Sequence, residues 1–226
     1  MTGRQQARDA VYGAIKRRIV LNELKPGVTL TELGLARALE CSQGTVRESL
    51  LRLEADGLVM RGGHQGTTVT ELDPEAAAEL LALRRRIETG AAARIARRTE
   101  PADLDGLGRL MDAMVAAAVS GDEYRLLLLD IEFHLAIFRI AGLPALEQIL
   151  IRCMLHTHRS KLWAPGHRRP LAATAARHRP ILAAVEARDA RALARSLDHH
   201  LDTIVDVAPA EPRAMSRRDT VFRKNA

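Results

Sequence analysis

The sequence predicts a mainly α protein in two parts: an N-terminal helix-turn-helix with a β-hairpin wing, then an all-helical bundle. Two tightly joined amphipathic helices stand before residue 60, a glycine-rich alternating stretch follows them, and everything beyond Asp73-Pro74 keeps a helical period. Composition agrees, because aromatics are only 3% of the chain while Ala and Leu dominate, which favours helix over sheet. At 226 residues with 47% hydrophobic content, the chain is long enough for two domains.

Taken in order, a polar lead from Met1 to Asp9 precedes a helix through DAVYGAIKRRIV, with Val11, Ile15 and Ile19 on its buried face. Pro26-Gly27 forces a turn. TELGLARALE then puts Leu35, Ala36 and Leu39 on one face of a short helix. In CSQGTVRESLLRLEADGLV, Val46, Leu50 and Leu53 recur at i, i+4, i+7, while Gln43, Arg47 and Glu54 point the other way. Ser42 suits the N-cap, and Gly57 suits the left-handed position that ends the helix. Only Glu40 and Cys41 separate the first of these helices from the Ser42 cap, so the two cross steeply. In such an arrangement the second helix enters the DNA major groove.

Leu58 to Val69 alternates around Gly62, Gly63 and Gly66 as a two-stranded hairpin, the wing. Asp73 as N-cap with Pro74 at the first helical position sets a domain boundary near Leu72. Residues 1–72 are therefore expected to bind DNA, and residues 73–208 to form the second domain. Six helical segments are expected there: Pro74–Thr99, Pro101–Ser120, Asp122–Ile140, Leu143–Leu162, roughly Leu171–Ala187 and Ala190–Val207. Residues 209–226, with two prolines and scattered apolar residues, read as a disordered basic tail.

The chemistry of the second part lies in D-I-E-F-H and two later histidines. Asp130 and His134 are i and i+4 on one helix face. His178 lies 11 residues before Asp189 and His200 lies 11 after it. If Asp189 caps the turn of an antiparallel helical hairpin, both histidines stand at one height. One carboxylate and three imidazoles then converge, a set that suits a divalent ion such as zinc or nickel with room for water or a ligand. Pro180 removes a helical hydrogen bond, so the helix around His178 starts late or kinks.

Charge restrains the argument. The net charge of +6 is spread out: residues 1–71 hold ten basic against eight acidic residues, and residues 72–208 hold nineteen against eighteen. The case for DNA therefore rests on the helix pattern and not on bulk basicity. Cys41 and Cys153 form no C-x-x-C pair, no N-terminal apolar run resembles a signal peptide, and the longest uncharged run, MVAAAVSG, is too short to span a bilayer. These features fit a bacterial cytoplasmic protein without a membrane anchor.

The stretch LKPGVTLTELGLARALECSQGTVRESLLRLEADGLVMRGGHQGTTV is similar to the winged DNA-binding domain of GntR-family bacterial transcription regulators. It shares the PG turn, the S-x-x-x-V-R-E-x-L recognition helix, the L-x-x-x-G-L-V run and the glycine-rich wing. The resemblance implies that Arg47 contacts the operator and that Ser42, Thr45, His64 and Gly66 face DNA. The family's usual S-R-T-P-V-R-E reads Ser42-Gln43-Gly44-Thr45-Val46-Arg47-Glu48 here. Gln43 thus stands where the family has a base-reading arginine, and glutamine pairs with adenine where arginine pairs with guanine.

Beyond residue 72 the chain resembles the FCD ligand-binding domain of the FadR-like branch, which implies the same Asp130, His134, His178 and His200, with His200 rather than His199 as the last ligand. Arg84, in L-R-R-R-I-E, matches an arginine that lines the effector cavity, where it can hold a carboxylate. Arg85 and Arg86 read as solvated, and His156 and His158 as either pocket or surface residues. The resemblance implies a ligand-responsive regulator and not an enzyme: a repressor that binds double-stranded, palindromic operator DNA as a homodimer and answers to a small carboxylate effector. The rival from chemistry alone is a metal-dependent hydrolase using the Asp and three His.

Overall fold

The computed structural model describes residues 3–62, 66–71, 73–163 and 169–204. His64 of the expected wing, Leu72 at the expected boundary and the tail from 209 lie outside them. Helix α1 (Gly3–Val20) begins six residues before the expected Asp9. The correction has a tertiary cause. Gln5 donates to Asp9, Arg52 reaches Asp9 at 2.6 Å, and Arg8 pairs with Glu48 at 2.5 Å, so contacts to a distant helix hold the polar turns.

Strand β1 (Thr29–Leu30), α2 (Glu32–Ala38) and α3 (Gln43–Ala55) follow. Each helix has the cap its sequence offers: Thr31 Oγ1 accepts from Gly34 N at 3.1 Å, and Ser42 Oγ accepts from Thr45 N at 3.1 Å. Helix α3 ends at Gly57, whose φ is +74°. There Gly57 N donates to Glu54 O and Leu58 N to Leu53 O, the paired bonds of a left-handed glycine cap. Val46, Leu50 and Leu53 are buried against α1, where Ile15 and Ile19 are fully enclosed. Each such side chain contributes about 1.5–3 kcal/mol through burial.

The wing is β2 (Val59–Arg61) with β3 (Thr67–Val69), antiparallel, with Val59 opposite Val69. Strand β1 pairs with the other edge of β3, giving the order β1-β3-β2. This third strand was not expected, since two residues are too few to show a period of two.

Helices α4 (Pro74–Arg98), α5 (Pro101–Val119), α6 (Glu123–Ile140), α7 (Glu147–Trp163), α8 (Leu171–Ala176), α9 (Arg179–Glu186) and α10 (Ala190–Asp202) form the bundle. Asp73 caps α4 by accepting from Ala76 N, as its sequence requires. A 3₁₀ turn at Pro144–Leu146 delays α7 to Glu147, later than the expected Leu143. The segment expected as one helix from Leu171 to Ala187 is two, broken at Arg177-His178, with Pro180 in the first turn of α9. Helix α6 runs through the bundle with ten buried residues, α4 packs on α10 and α7, and α5 packs on α6 and α8. No helix among the described residues is long and apolar enough to cross a membrane.

Candidate nucleic-acid interface and metal centre

The outer face of α3 presents Gln43 and Arg47 to solvent. The Arg47 side chain is 60% exposed and bonds to Glu32 of α2, with Nε 3.0 Å from Oε1 and Nη2 2.8 Å from Oε2. Ser42 is committed to its cap and lies 2.9 Å from Thr45 Oγ1, so these two hydroxyls satisfy each other in the free protein. Gly66, at φ +80°, accepts from Gly62 N at 2.9 Å and closes the wing stem. A groove between this stem and α2 is lined by Glu32, Arg61 and Thr67. Of the described residues expected to face DNA, Gln43 and Arg47 are the two whose long side chains stand exposed on the outer face of α3.

In the bundle, Asp130, His134, His178 and His200 are all buried, and one ligand atom from each lies within 4.8 Å of the others. Three segments deliver them differently. Asp130 and His134 are one turn apart on α6, His178 sits in the α8–α9 break, and His200 comes from the last turns of α10. Asp189 caps α10 by accepting from Arg191 N and Ala192 N, and the rings of His178 and His200 stand 4.6 Å apart.

Their hydrogen bonds orient the rings inward. Glu88 Oε2 lies 2.6 Å from His134 Nδ1, which turns Nε2 toward the cluster, 3.3 Å from His200 Nε2. His178 Nδ1 lies 3.3 Å from Ala175 O, and its Nε2 is 2.9 Å from Asp130 Oδ2. Ligands held about 2.1 Å from one ion stand about 3.4 Å apart in a tetrahedron, so the 3.3 Å and 2.9 Å separations are close to those of ligands that share a cation. Burial, with His134 and His178 nearby, holds the His200 pKa well below its ordinary value, leaving a neutral imidazole with a free lone pair.

Sequence reasoning missed the layer behind these four. Glu88 is buried between His134 and Arg84, whose Nε donates to Oε1 at 2.5 Å. Burial raises the Glu88 pKa, but Arg84 and His134 outweigh it and bring it down to about 2. Burial likewise opposes ionisation of Asp130, yet His158 and His178 hold its pKa well below the usual range. His158, open between pocket and surface on sequence, is buried, with Nε2 3.0 Å from Asp130 Oδ1. His156 is buried as well, and Arg85, expected to be solvated, pairs with Asp198 and Asp202 on α10. The i, i+4 spacing of Arg84 and Glu88 was the available signal for the first pair.

Arg84 is fully buried, and neither its Nη1 nor its Nη2 has a hydrogen-bond partner. Arg159, also fully buried, reaches Thr70 beyond β3, with Nη2 2.7 Å from the carbonyl and Nη1 2.9 Å from Oγ1. A Cβ placed on Gly57 would meet Arg152 Nε at 2.7 Å and His156 Nε2 at 2.9 Å. Trp163 Nε1 donates to Val20 O at 3.2 Å. One face of α7 thus grips the winged part, while His158 on the same helix holds Asp130.

Residues 79–203 match the family described as FCD domain, and residues 7–69 match Bacterial regulatory proteins, gntR family. An uncharacterized HTH-type transcriptional regulator in an unstable DNA locus of Streptomyces ambofaciens is 29% identical, over 90% of this chain and 85% of that protein. A probable D-xylose utilization operon transcriptional repressor of Paenarthrobacter nicotinovorans is 28% identical, over 88% of this chain and 89% of its own length. Among solved structures, Escherichia coli McbR/YncC superposes with a TM-score of 0.74 at 24% identity, covering 90% of this chain and 95% of that one.

Proposed function

The chain belongs to the gntR family of bacterial regulatory proteins and carries an FCD domain, and from that premise we propose that it is a ligand-responsive repressor which binds a palindromic operator as a homodimer. Residues 1–72 read DNA in this account, and residues 73–208 bind metal and effector and dimerise. One recognition helix covers only a few base pairs, so useful specificity needs two copies related by a two-fold axis.

Asp130, His134, His178 and His200 would hold a divalent ion, zinc or nickel by their donor set. When bound, the ion supplies a positive centre for a carboxylate. Arg84 is the effector's second contact, since a buried guanidinium with two unpartnered nitrogens costs about 1–3 kcal/mol per orphaned group until an anion meets them. Glu88 keeps His134 in the tautomer that points Nε2 inward. The hydrolase alternative lacks a base, because Glu88 is bonded to Arg84 and His134, and Asp130 to His158.

The observation that carries the reading is α7, a single helix that meets the winged part at Gly57 and Thr70 and the cluster at Asp130. An effector shifts DNA affinity only through its differential affinity for two arrangements, typically about 1–3 kcal/mol. Movement of Asp130 or His158 reaches Gly57 and Thr70 through one rigid element. The test is a gel shift with DNA from upstream of the gene, using zinc-loaded and chelator-stripped protein, alongside metal analysis. About one divalent ion per chain and specific retardation of that DNA are expected. A folded protein that takes up neither zinc nor nickel overturns the metal-centred effector site, and failure to bind that DNA specifically overturns the assigned operator.

A further inference from the structure

Between the start of α9 and one face of α10 lies a pocket of about 310 Å³, at the small end of the volumes that hold ligands, roughly 300–1,000 Å³. Its polar lining is of one kind. Arg195, Ser196 and His199 stand together on α10, Arg177 joins them from the end of α8, and no carboxylate is among the described lining residues. The acids nearby are engaged elsewhere: Asp198 and Asp202 pair with Arg85, and Asp189 caps α10.

The side chains of Arg195, Ser196 and His199 form no hydrogen bond or ion pair among the described residues. Arg177 is held in place, because it donates to His200 O and Thr203 Oγ1. Positive charge and donors gathered without an acid draw an oxyanion, and arginine forks match the oxygens of a phosphate.

The floor of the pocket belongs to His200, which is only 3% exposed. Its Nε2 faces His134 Nε2 across 3.3 Å, and its buried Nδ1 has no hydrogen-bond partner among the described residues. The other two imidazoles differ, since Glu88 lies against Nδ1 of His134 and Ala175 O against Nδ1 of His178. A metal-bound imidazole is ordinarily supported from behind by an acceptor, which raises its basicity. Negative charge on the pocket side is the support that His200 lacks.

We propose that this pocket is a second ligand site, outside the metal cluster and sharing only His200 with it, and that it takes a small phosphate monoester. Arg177 and Arg195 hold the phosphate, Ser196 and His199 donate to its remaining oxygens, and the rest of the volume takes a short organic group. The anion's charge beside His200 strengthens that imidazole as a metal ligand. The site stands independently of the effector reading above, and only its influence on the ion rests on that reading.

Calorimetric titration of the zinc-loaded, full-length protein with inorganic phosphate, glycerol 3-phosphate and succinate tests this. Both phosphates should bind, and Arg195→Glu should weaken them at least about tenfold, the scale of one charge-assisted contact, with zinc content and succinate binding unchanged. Ser196→Ala should weaken them in the same direction and keeps the comparison should the charge reversal not fold. Phosphate binding that survives both substitutions places the phosphate elsewhere, on the ion included, and overturns the site. Succinate weakened as much as phosphate by Arg195→Glu overturns the phosphate assignment, and wild type that binds neither phosphate overturns the proposal outright. Glycerol 3-phosphate should also raise zinc affinity against a chromogenic chelator in wild type and not in Arg195→Glu; an unchanged zinc affinity in wild type overturns the link through His200.

Discussion

Arg47 enters any operator complex already bonded, because Glu32 holds its guanidinium through two contacts. That pair is exposed and contributes little to folding, whereas an arginine contact to a base edge or phosphate is worth about 1–3 kcal/mol. Arg47→Ala should therefore weaken operator binding roughly 5- to 150-fold with an unchanged melting temperature. Glu32→Gln should strengthen it, since a competing carboxylate near phosphates is removed. Equal affinity of all three proteins in a fluorescence-anisotropy titration would take Arg47 out of the interface. Glu32 escaped the sequence reading because no helical spacing joins residues fifteen apart. The Ser42 cap and the Gly57 stop were legible, being local chemistry. The same limit hid Glu88: its link to Arg84 lies within one helix, but its bond to His134 crosses 46 positions. Glu88→Gln should lower zinc affinity about 10- to 100-fold, read by competition with a chromogenic chelator, and an unchanged affinity would deny it any part in orienting His134.

Helix α7 shows what periodicity misses at the scale of an element. Its span was nearly right, yet a helix that buries His156, His158, Arg159 and Lys161 reads as polar in sequence and belongs to the surface by composition. These residues are inside because α7 lies between two other bodies. His156 bears a measurable consequence. Burial first, then Arg159 and Arg152, bring its pKa from 6.5 down to about 4. The unfolded chain accepts the proton near pH 6.5 and the folded one does not, so the stability that this neutral ring protects is complete above pH 6.5 and is lost as pH falls toward 4. Melting temperatures across that window should decline less steeply in His156→Gln than in wild type; parallel profiles would remove His156 from the acid response. The break at His178 is a case where sequence offered the cause and not the outcome. Pro180 required an interruption, but whether the chain kinked or started late depended on packing against α5 and α6.

At the scale of the whole molecule, the division into a winged part and a bundle was readable from capping, punctuation and a change of period, while the seam between them was not. The apolar core runs without interruption from α1 and α3 into the bundle, and Arg159 and Thr70 stitch it at the polar edge. Removing one stitch should loosen communication more than either site. Arg159→Gln is expected to retain zinc and operator affinity but to shrink the effect of metal stripping on DNA binding, measured by the same anisotropy titration; an undiminished effect would place the coupling elsewhere. Symmetry is a separate expectation. Light scattering should give twice the 24.8 kDa chain mass, and a footprint should protect an inverted repeat, whereas a monomer covering one half-site would sink the dimeric account. The seam also holds the chain's single tryptophan. Trp163 stacks beneath Arg159, with the guanidinium carbon 4.3 Å from the ring, and its indole N–H is tied to the last residue of α1. The protein therefore carries its own optical gauge: red-edge excited emission reports from the hinge alone, so undocking of the DNA-reading part can be timed in a stopped-flow instrument without attaching a dye.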